Sequence, residues 1–273
     1  MTTAEMTQGD VEASTVGNPV PARSLLPPTL WDRVVSVWLW SASIAWAAVI
    51  LPITTFGCLI VGLDRMMPFQ RLYTWGGLKA VGIDWHYVVD PRVDPKQAYL
   101  FAHNHTHIFD FLLLHNATPH YKLGVELEEH YKIPLYGWFM KARGGIAVKR
   151  GQKGQSAEVL AQAKKSTNLG RGILVFPEGT RTQDGRVGRF KTGSFFIARD
   201  LGIPVCPVTA VGAYDMMRKG SLIVRPAKVT MYVDAPIETA GLSDDEVATL
   251  AERVQAIVGE RLDDEWRSRG WKG

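Results

Sequence analysis

The chain has 273 residues, enough for one sizeable core with an appendage, and its 46% apolar and 21% charged content is not that of a disordered protein. A formal net charge of +4 suits an anionic substrate or a membrane surface and is too weak to argue for nucleic acid. The two cysteines, Cys58 and Cys206, both lie in apolar runs, which argues against a disulfide framework or a cysteine metal site and fits a reducing, cytosol-facing location.

Residues 1–28 are rich in Thr, Ala, Pro, Gly and Glu and read as a disordered tail. They lack the basic and apolar order of a cleavable signal peptide. From Val34 to Leu63 about 30 positions carry no charge. One straight helix of that length spans about 45 Å, more than the ~30 Å hydrocarbon core, yet two full spans need about 40 residues. Pro52 sits near the middle and is expected to kink or break the helix. Trp38, Trp40 and Trp46 resemble an interfacial belt, with Arg33, Arg65 and Arg71 flanking the segment. Two membrane readings follow: one span, or two half-length helices dipping into one leaflet. Phe69 to Val81 reads as a further amphipathic helix able to lie alongside, which favours the shallow pair. The soluble alternative is a buried core hairpin.

Beyond Gly82 the pattern alternates between strands and helices. Strands are expected at 83–89, 98–102, 122–127, 146–148, 173–176 and 204–211, and helices at 109–115, 155–167 and 192–201. Residues 222–233 read as two strands broken by Pro226. A C-terminal helix follows Ser243, with Glu246 placed for a capping box. The class is α/β, a mixed sheet flanked by helices, with N-terminal membrane-associated helices over 29–82 and one catalytic domain over 83–273.

All seven histidines fall between residues 86 and 130, so any histidine chemistry comes from there. No Gly-x-Ser-x-Gly elbow and no phosphate loop of the Gly-x4-Gly-Lys-Ser/Thr kind is present. The turn Ala102-His103-Asn104-His105-Thr106-His107-Ile108-Phe109-Asp110 supports two readings. His105 can be a general base oriented by Asp110, since the two meet when one lies in the turn and the other in the first helical turn. Alternatively His103, His105 and His107, at alternate positions, can ligate zinc in a metal-dependent hydrolase. Downstream, Phe176-Pro177-Glu178-Gly179-Thr180-Arg181 ends an apolar strand with a tight turn whose backbone and guanidinium suit a phosphate. Glu178 there is expected to grip a hydroxyl or a cation. Gly144 to Arg150 offers another basic element, and Arg143, Arg189 and Lys191 add positive potential.

Asn104-His105-x4-Asp110 followed by Phe176-Pro-Glu-Gly-Thr-Arg181 resembles the glycerolipid acyltransferase family, in particular bacterial 1-acylglycerol-3-phosphate acyltransferases. Gly144 to Arg150 is similar to the family's Gly-x-x-Phe-Ile-x-Arg block, with Ala147 where an aromatic is usual. Ile203 to Val208 is similar to its fourth, apolar block. The resemblance implies a glycerol-3-phosphate acyltransferase-like fold, His105 and Asp110 as catalytic pair, and acceptor phosphate binding by Arg150, Glu178, Gly179, Thr180 and Arg181. It implies no metal or other cofactor; an acyl-CoA or acyl carrier protein thioester is the co-substrate. The partners it implies are a membrane lipid surface and a lysophospholipid acceptor. The reaction it implies is acylation of the sn-2 hydroxyl of 1-acylglycerol 3-phosphate, on a domain expected to face the cytoplasm. A glycolipid, another lysophospholipid or glycerol 3-phosphate is the alternative acceptor.

Overall fold

The alternating pattern becomes a single sheet between helices in a computed structural model, which describes residues 22–149 and 156–270. The strands are β1 (Ile83–Val89), β2 (Leu100–His103), β3 (Lys122–Leu127), β4 (Ile146–Val148), β5 (Gly172–Val175), β6 (Val205–Val211) and β7 (Ala227–Val233). The helices are α1 (Leu30–Val61), α2 (Met67–Ala80), α3 (Asp110–Ala117), α4 (Tyr136–Ala142), α5 (Ser156–Thr167), α6 (Gly193–Leu201) and α7 (Asp244–Ser268). Across the sheet the order is β1-β7-β6-β2-β5-β3-β4, parallel except for the β6–β7 pair. The expected mixed sheet is therefore present.

Burial explains the two kinds of strand pattern. β2 and β5 are covered on both faces and read as unbroken apolar runs. β7 buries Ala227, Val229, Met231 and Val233 but turns Lys228 outward, the period of two expected of a strand with one covered face. Leu39, Tyr73, Leu78, Leu112 and Phe139 of α1 to α4 pack one side of the sheet. Val159, Phe195, Val247 and Val254 of α5, α6 and α7 pack the other. Ser243 and Glu246 form the anticipated capping box.

The N-terminal region departs from expectation in three ways. Helix α1 is continuous over 32 residues and runs through Pro52 unbroken, so the pair of half-length helices does not form. The missing amide leaves the Ala48 carbonyl without its i+4 donor, but the next turn is reinforced. There the hydroxyls of Thr54 and Thr55 donate to the carbonyls of Ile50 and Leu51 at 2.8 and 2.7 Å. The three tryptophans do not act as one belt: Trp38 is 72% exposed, whereas the indole N–H groups of Trp40 and Trp46 donate to the carbonyls of Leu222 and Tyr73. Gly76 makes the second contact possible, since a Cβ there would lie 2.2 Å from the Trp46 ring. Finally, ordered chain begins before residue 29. Ala22 and Ser24 are buried beside a short 3-10 turn, Arg23–Leu25, and the Arg23 amide donates to Asp215 Oδ1 at 2.6 Å. The rest of the expected tail, residues 1–21, lies outside the described residues.

Helix α1 is long and apolar enough to cross a membrane, and only 28% of its most apolar stretch is buried by the rest of the chain. That exposure rules out the core-hairpin reading, in which both faces would be covered. The helix is nevertheless fastened to the domain at its N-terminal end. Thr29 and Asp32 form a capping box, and Asp32 also receives the Arg225 guanidinium at 3.1 Å. Residues 222–226, expected as a strand, serve this attachment instead. Pro226 has no amide for a ladder, and the Val224 amide donates to Ser36 Oγ at 2.9 Å.

Candidate active site

Parallel pairing of β2 with β5 aligns Ala102 with Val175, so both strands end at the same edge of the sheet. The two polar turns that follow, His103 to Phe109 and Phe176 to Arg181, are therefore neighbours despite their separation in sequence. Strand ends of this kind are where open α/β sheets hold ligands. Side-chain hydrogen bonds then fix the first turn on both flanks. Asn104 Oδ1 accepts the Ala210 amide of β6 at 2.8 Å, and Glu178 Oε1 accepts the His105 amide at 2.7 Å.

The His105 imidazole meets Asp110 through Nδ1 and Oδ2 at 2.8 Å. The same oxygen accepts the amides of Thr106 at 2.6 Å and His107 at 3.0 Å, so the carboxylate also ties the turn to the first residue of α3. His107 Nδ1 lies 3.0 Å from Oδ1 and 3.2 Å from the Phe109 amide; the shorter approach to a carboxylate places the proton on Nδ1. Asp110 is fully buried, and burial by itself would raise its pKa. The His107 charge and the hydrogen bonds from His105 and His107 outweigh that and hold the carboxyl well below the usual range. An ionised carboxylate thus fixes the His105 tautomer with hydrogen on Nδ1 and a lone pair on Nε2. The His105 side chain is 22% exposed, and its ring stacks on Phe176 with centroids 3.9 Å apart.

The neighbouring histidines have structural settings. His103 donates from Nδ1 to Asn104 Oδ1 at 3.0 Å, and desolvation lowers its pKa to about 4, so it is neutral. His103 and His107 each keep a buried Nε2 without a partner. Among the described residues no group of three or more His, Cys, Asp or Glu side chains is arranged to hold a metal. The zinc reading has no geometry to support it.

In the second turn Gly179 adopts φ 68, a conformation glycine takes without steric cost, and the Lys191 ammonium sits where a Cβ would project, at 2.5 Å. Glu178 is buried rather than presented to solvent. Its oxygens are committed to the amides of His105 and Gly188 at 2.7 and 2.8 Å, not to a hydroxyl or a cation as the sequence suggested. Burial raises its pKa, which the two amides oppose. Thr180 is exposed and its hydroxyl accepts from Lys219 Nζ at 2.7 Å. Arg181 follows, half-buried, with no carboxylate partner among the described residues. Arg150, expected as a further phosphate ligand, lies outside the described residues. Arg143 does not add to the surface potential of the site. It is buried under α4, donating to His115 Nε2 at 3.0 Å and to the Tyr121 hydroxyl at 3.1 Å.

A narrow apolar cavity of about 30 Å³ opens beside this site. Phe111, Tyr136, Phe139, Met140, Leu174 and Phe176 are among its lining residues, so one ring, Phe176, both supports His105 and walls the cavity. Sequence reasoning missed Lys219, which lies in a Gly- and Lys-containing loop without a motif. It weighed His107 only as a zinc ligand and missed its contact with Asp110, for which the i, i+3 spacing was the available signal.

Residues 87–211, which contain both turns, match the family model described as Acyltransferase. Over that region the chain is similar to the acyltransferase family. The chain is 32% identical over 139 residues to a chloroplastic 1-acyl-sn-glycerol-3-phosphate acyltransferase of Brassica napus, a match covering 50% of the chain and 40% of that relative. It is 25% identical over 231 residues to a 1-acyl-sn-glycerol-3-phosphate acyltransferase of Limnanthes douglasii, covering 80% of each. The chain thus spans about two fifths of the length of the Brassica relative and of a chloroplastic Arabidopsis thaliana relative at 39%. Its fold is that of the 1-acyl-sn-glycerophosphate acyltransferase PlsC of Thermotoga maritima, with a TM-score of 0.74 over 86% of this chain and 96% of that one, at 21% identity.

Proposed function

We propose that this chain transfers a fatty acyl group from a thioester, acyl-CoA or acyl carrier protein, to the sn-2 hydroxyl of 1-acylglycerol 3-phosphate at a membrane surface. The observation that carries the reading is the His105–Asp110 pair at 2.8 Å, with the Glu178 carboxylate bonded to the amide of the same histidine. A base held in one tautomer therefore adjoins a turn that ends in the Arg181 guanidinium, which has no carboxylate partner among the described residues. His105 Nε2 takes the acceptor's hydroxyl proton as the oxygen bonds to the thioester carbonyl carbon. Collapse of the tetrahedral adduct breaks the C–S bond, and the thiolate leaves with the proton from the imidazolium. Asp110 stabilises that imidazolium throughout. Arg181 and Arg150 bind the acceptor phosphate, with Gly179 and Thr180 shaping the turn and Glu178 holding it in place.

The acyl chain of the donor enters beside the Phe176 ring that supports the base, and the narrow apolar cavity there widens to admit it. Exposed Trp38, Phe56 and Ile60 of α1 hold the site at the lipid surface, where both acceptor and product reside. Two buried, unpaired cysteines accord with a catalytic domain on the cytoplasmic side. The Brassica napus and Limnanthes douglasii relatives are 1-acyl-sn-glycerol-3-phosphate acyltransferases, which supports the same acceptor.

Steady-state kinetics of His105→Ala and Arg181→Ala with lysophosphatidate and acyl-CoA test the assignment, with glycerol 3-phosphate as competing acceptor. The first variant loses activity by about 10²–10⁴-fold, the usual worth of a general base. Arg181→Ala raises the acceptor KM. Full activity in the histidine variant, or an effect of Arg181→Ala on the thioester KM alone, removes the respective role.

A further inference from the structure

The segment from Lys132 to Lys141 has a conformation that neither the sheet nor the His–Asp pair requires. Among the described residues Leu135 is the sole non-glycine with positive φ, at φ 64 and ψ −51. The Tyr136 amide donates to the Pro134 carbonyl at 2.7 Å, closing a three-residue γ-turn in the sense that L-residues adopt only under strain. Gly137 lets the turn close this tightly, because a Cβ there would stand 2.0 Å from the Tyr131 carbonyl oxygen. Strain of this kind is ordinarily offset by burial of the side chain it positions. Here the opposite holds: Leu135 is 38% exposed, Ile133 50% and Trp138 63%.

The inner side of the same segment is spoken for, since Tyr136, Phe139 and Met140 line the apolar cavity. Both sides of α4 are therefore apolar, one facing the cavity and one facing outward. Lys132 and Lys141, both exposed, bracket the outward patch. Helix α4 packs against α1, so the patch extends the uncovered apolar surface of α1 rather than standing alone. Large exposed apolar groups with a tryptophan among them and lysines at the margin are the composition of a segment seated at the lipid interface.

We propose that residues 132–141 are a second lipid-docking element, which inserts Ile133, Leu135 and Trp138 into an anionic membrane with Lys132 and Lys141 at headgroup level. The proposal rests on the membrane reading of α1. It adds that the wall of the acyl cavity formed by α4 borders hydrocarbon on its outer side, and that the strained turn exists to present Leu135 there.

The test places an environment-sensitive thiol-reactive fluorophore on Leu135→Cys in the full chain. Cys58 and Cys206 are buried and do not compete for the label. A second chain carries the label at Trp138→Cys, and a control carries it at Glu252→Cys on α7, across the sheet. Each is mixed with vesicles of phosphatidylcholine and phosphatidylglycerol, and co-sedimentation is measured on the same samples. The expected result is a blue shift at positions 135 and 138 that spin-labelled lipid quenches, with none at 252. Co-sedimentation with labels 135 and 138 still in water overturns the proposal and leaves α1 as the anchor. Absence of co-sedimentation overturns the α1 reading and the proposal together. A shift without vesicles that grows with protein concentration assigns the patch to a second copy of the chain and also overturns it.

Discussion

Replacing Asp110 by Asn isolates the charge of the carboxylate from its geometry. The amide oxygen can keep the place of Oδ2, accepting from His105 Nδ1 and from the amides of Thr106 and His107, now at 2.8, 2.6 and 3.0 Å. The amide nitrogen then faces His107 Nδ1, which becomes an acceptor as that ring takes its other tautomer. What disappears is the negative charge beside the imidazolium that forms during transfer. Two unit charges about 4 Å apart at an effective dielectric of about 20 interact by about 4 kcal/mol. A neutral acceptor in the same position recovers a part of this. A loss of roughly 3–4 kcal/mol corresponds to a fall in kcat on the order of 10²–10³-fold. The assay is steady-state acyl transfer to lysophosphatidate, with a thermal melt alongside to show that the variant is folded. A folded Asp110→Asn protein that keeps most of the parent kcat refutes the electrostatic role and leaves Asp110 as a brace of the turn through the Thr106 and His107 amides.

Glu178→Gln retains one acceptor and turns an N–H toward the amide of either His105 or Gly188. A buried amide left without a partner costs about 1–3 kcal/mol, so the thermal midpoint falls together with kcat; an unchanged midpoint denies the bridge between the two turns. Acid sensitivity is expected from the buried histidines. Desolvation lowers the His103 pKa from 6.5 to about 4, and His115 and His120 shift the same way. Stability from His103 is fully present above pH 6.5 and is lost as pH falls toward 4, by about 3 kcal/mol at roughly 1.4 kcal/mol per pH unit. Urea midpoints measured across that range drop for the parent and drop less for His103→Asn; equal slopes for both chains contradict the assignment.

The strands and the site turns were legible because each follows from a local rule. β1, β3 and β4 begin and end at the residues that their apolar and β-branched patterns mark. His105 and Asp110 carry their own spacing, and the Glu-Gly-Thr-Arg turn follows a strand that Pro177 must end. Other features depend on contacts with no local signature. Helix α4 contains Gly137 and follows Pro134, which read as loop residues, and its glycine is required by Tyr131 rather than by the helix. Continuity of α1 through Pro52 depends on packing and on threonine hydroxyls, not on propensity. Glu178 looked like a ligand in sequence because nothing local reveals that Gly188 and His105 supply its donors. The separate fates of Trp38 and Trp40, two residues apart, depend on which side of α1 meets the Leu222 carbonyl.

That last contact bears on how the molecule can be handled. Trp40 reaches past Leu222 to the ring of Phe109, with centroids 5.8 Å apart, at the threshold of α3. Phe109 is the residue next to Asp110. The N-terminal helix is thus masonry as much as mooring. A truncation meant to yield a detergent-free protein would remove the Trp40 ring from Phe109, next to Asp110, and the Trp46 indole from the Tyr73 carbonyl. Solubilisation by recoding the outward residues of α1, leaving Ser36, Leu39, Trp40 and Trp46 in place, preserves the turn where deletion cannot.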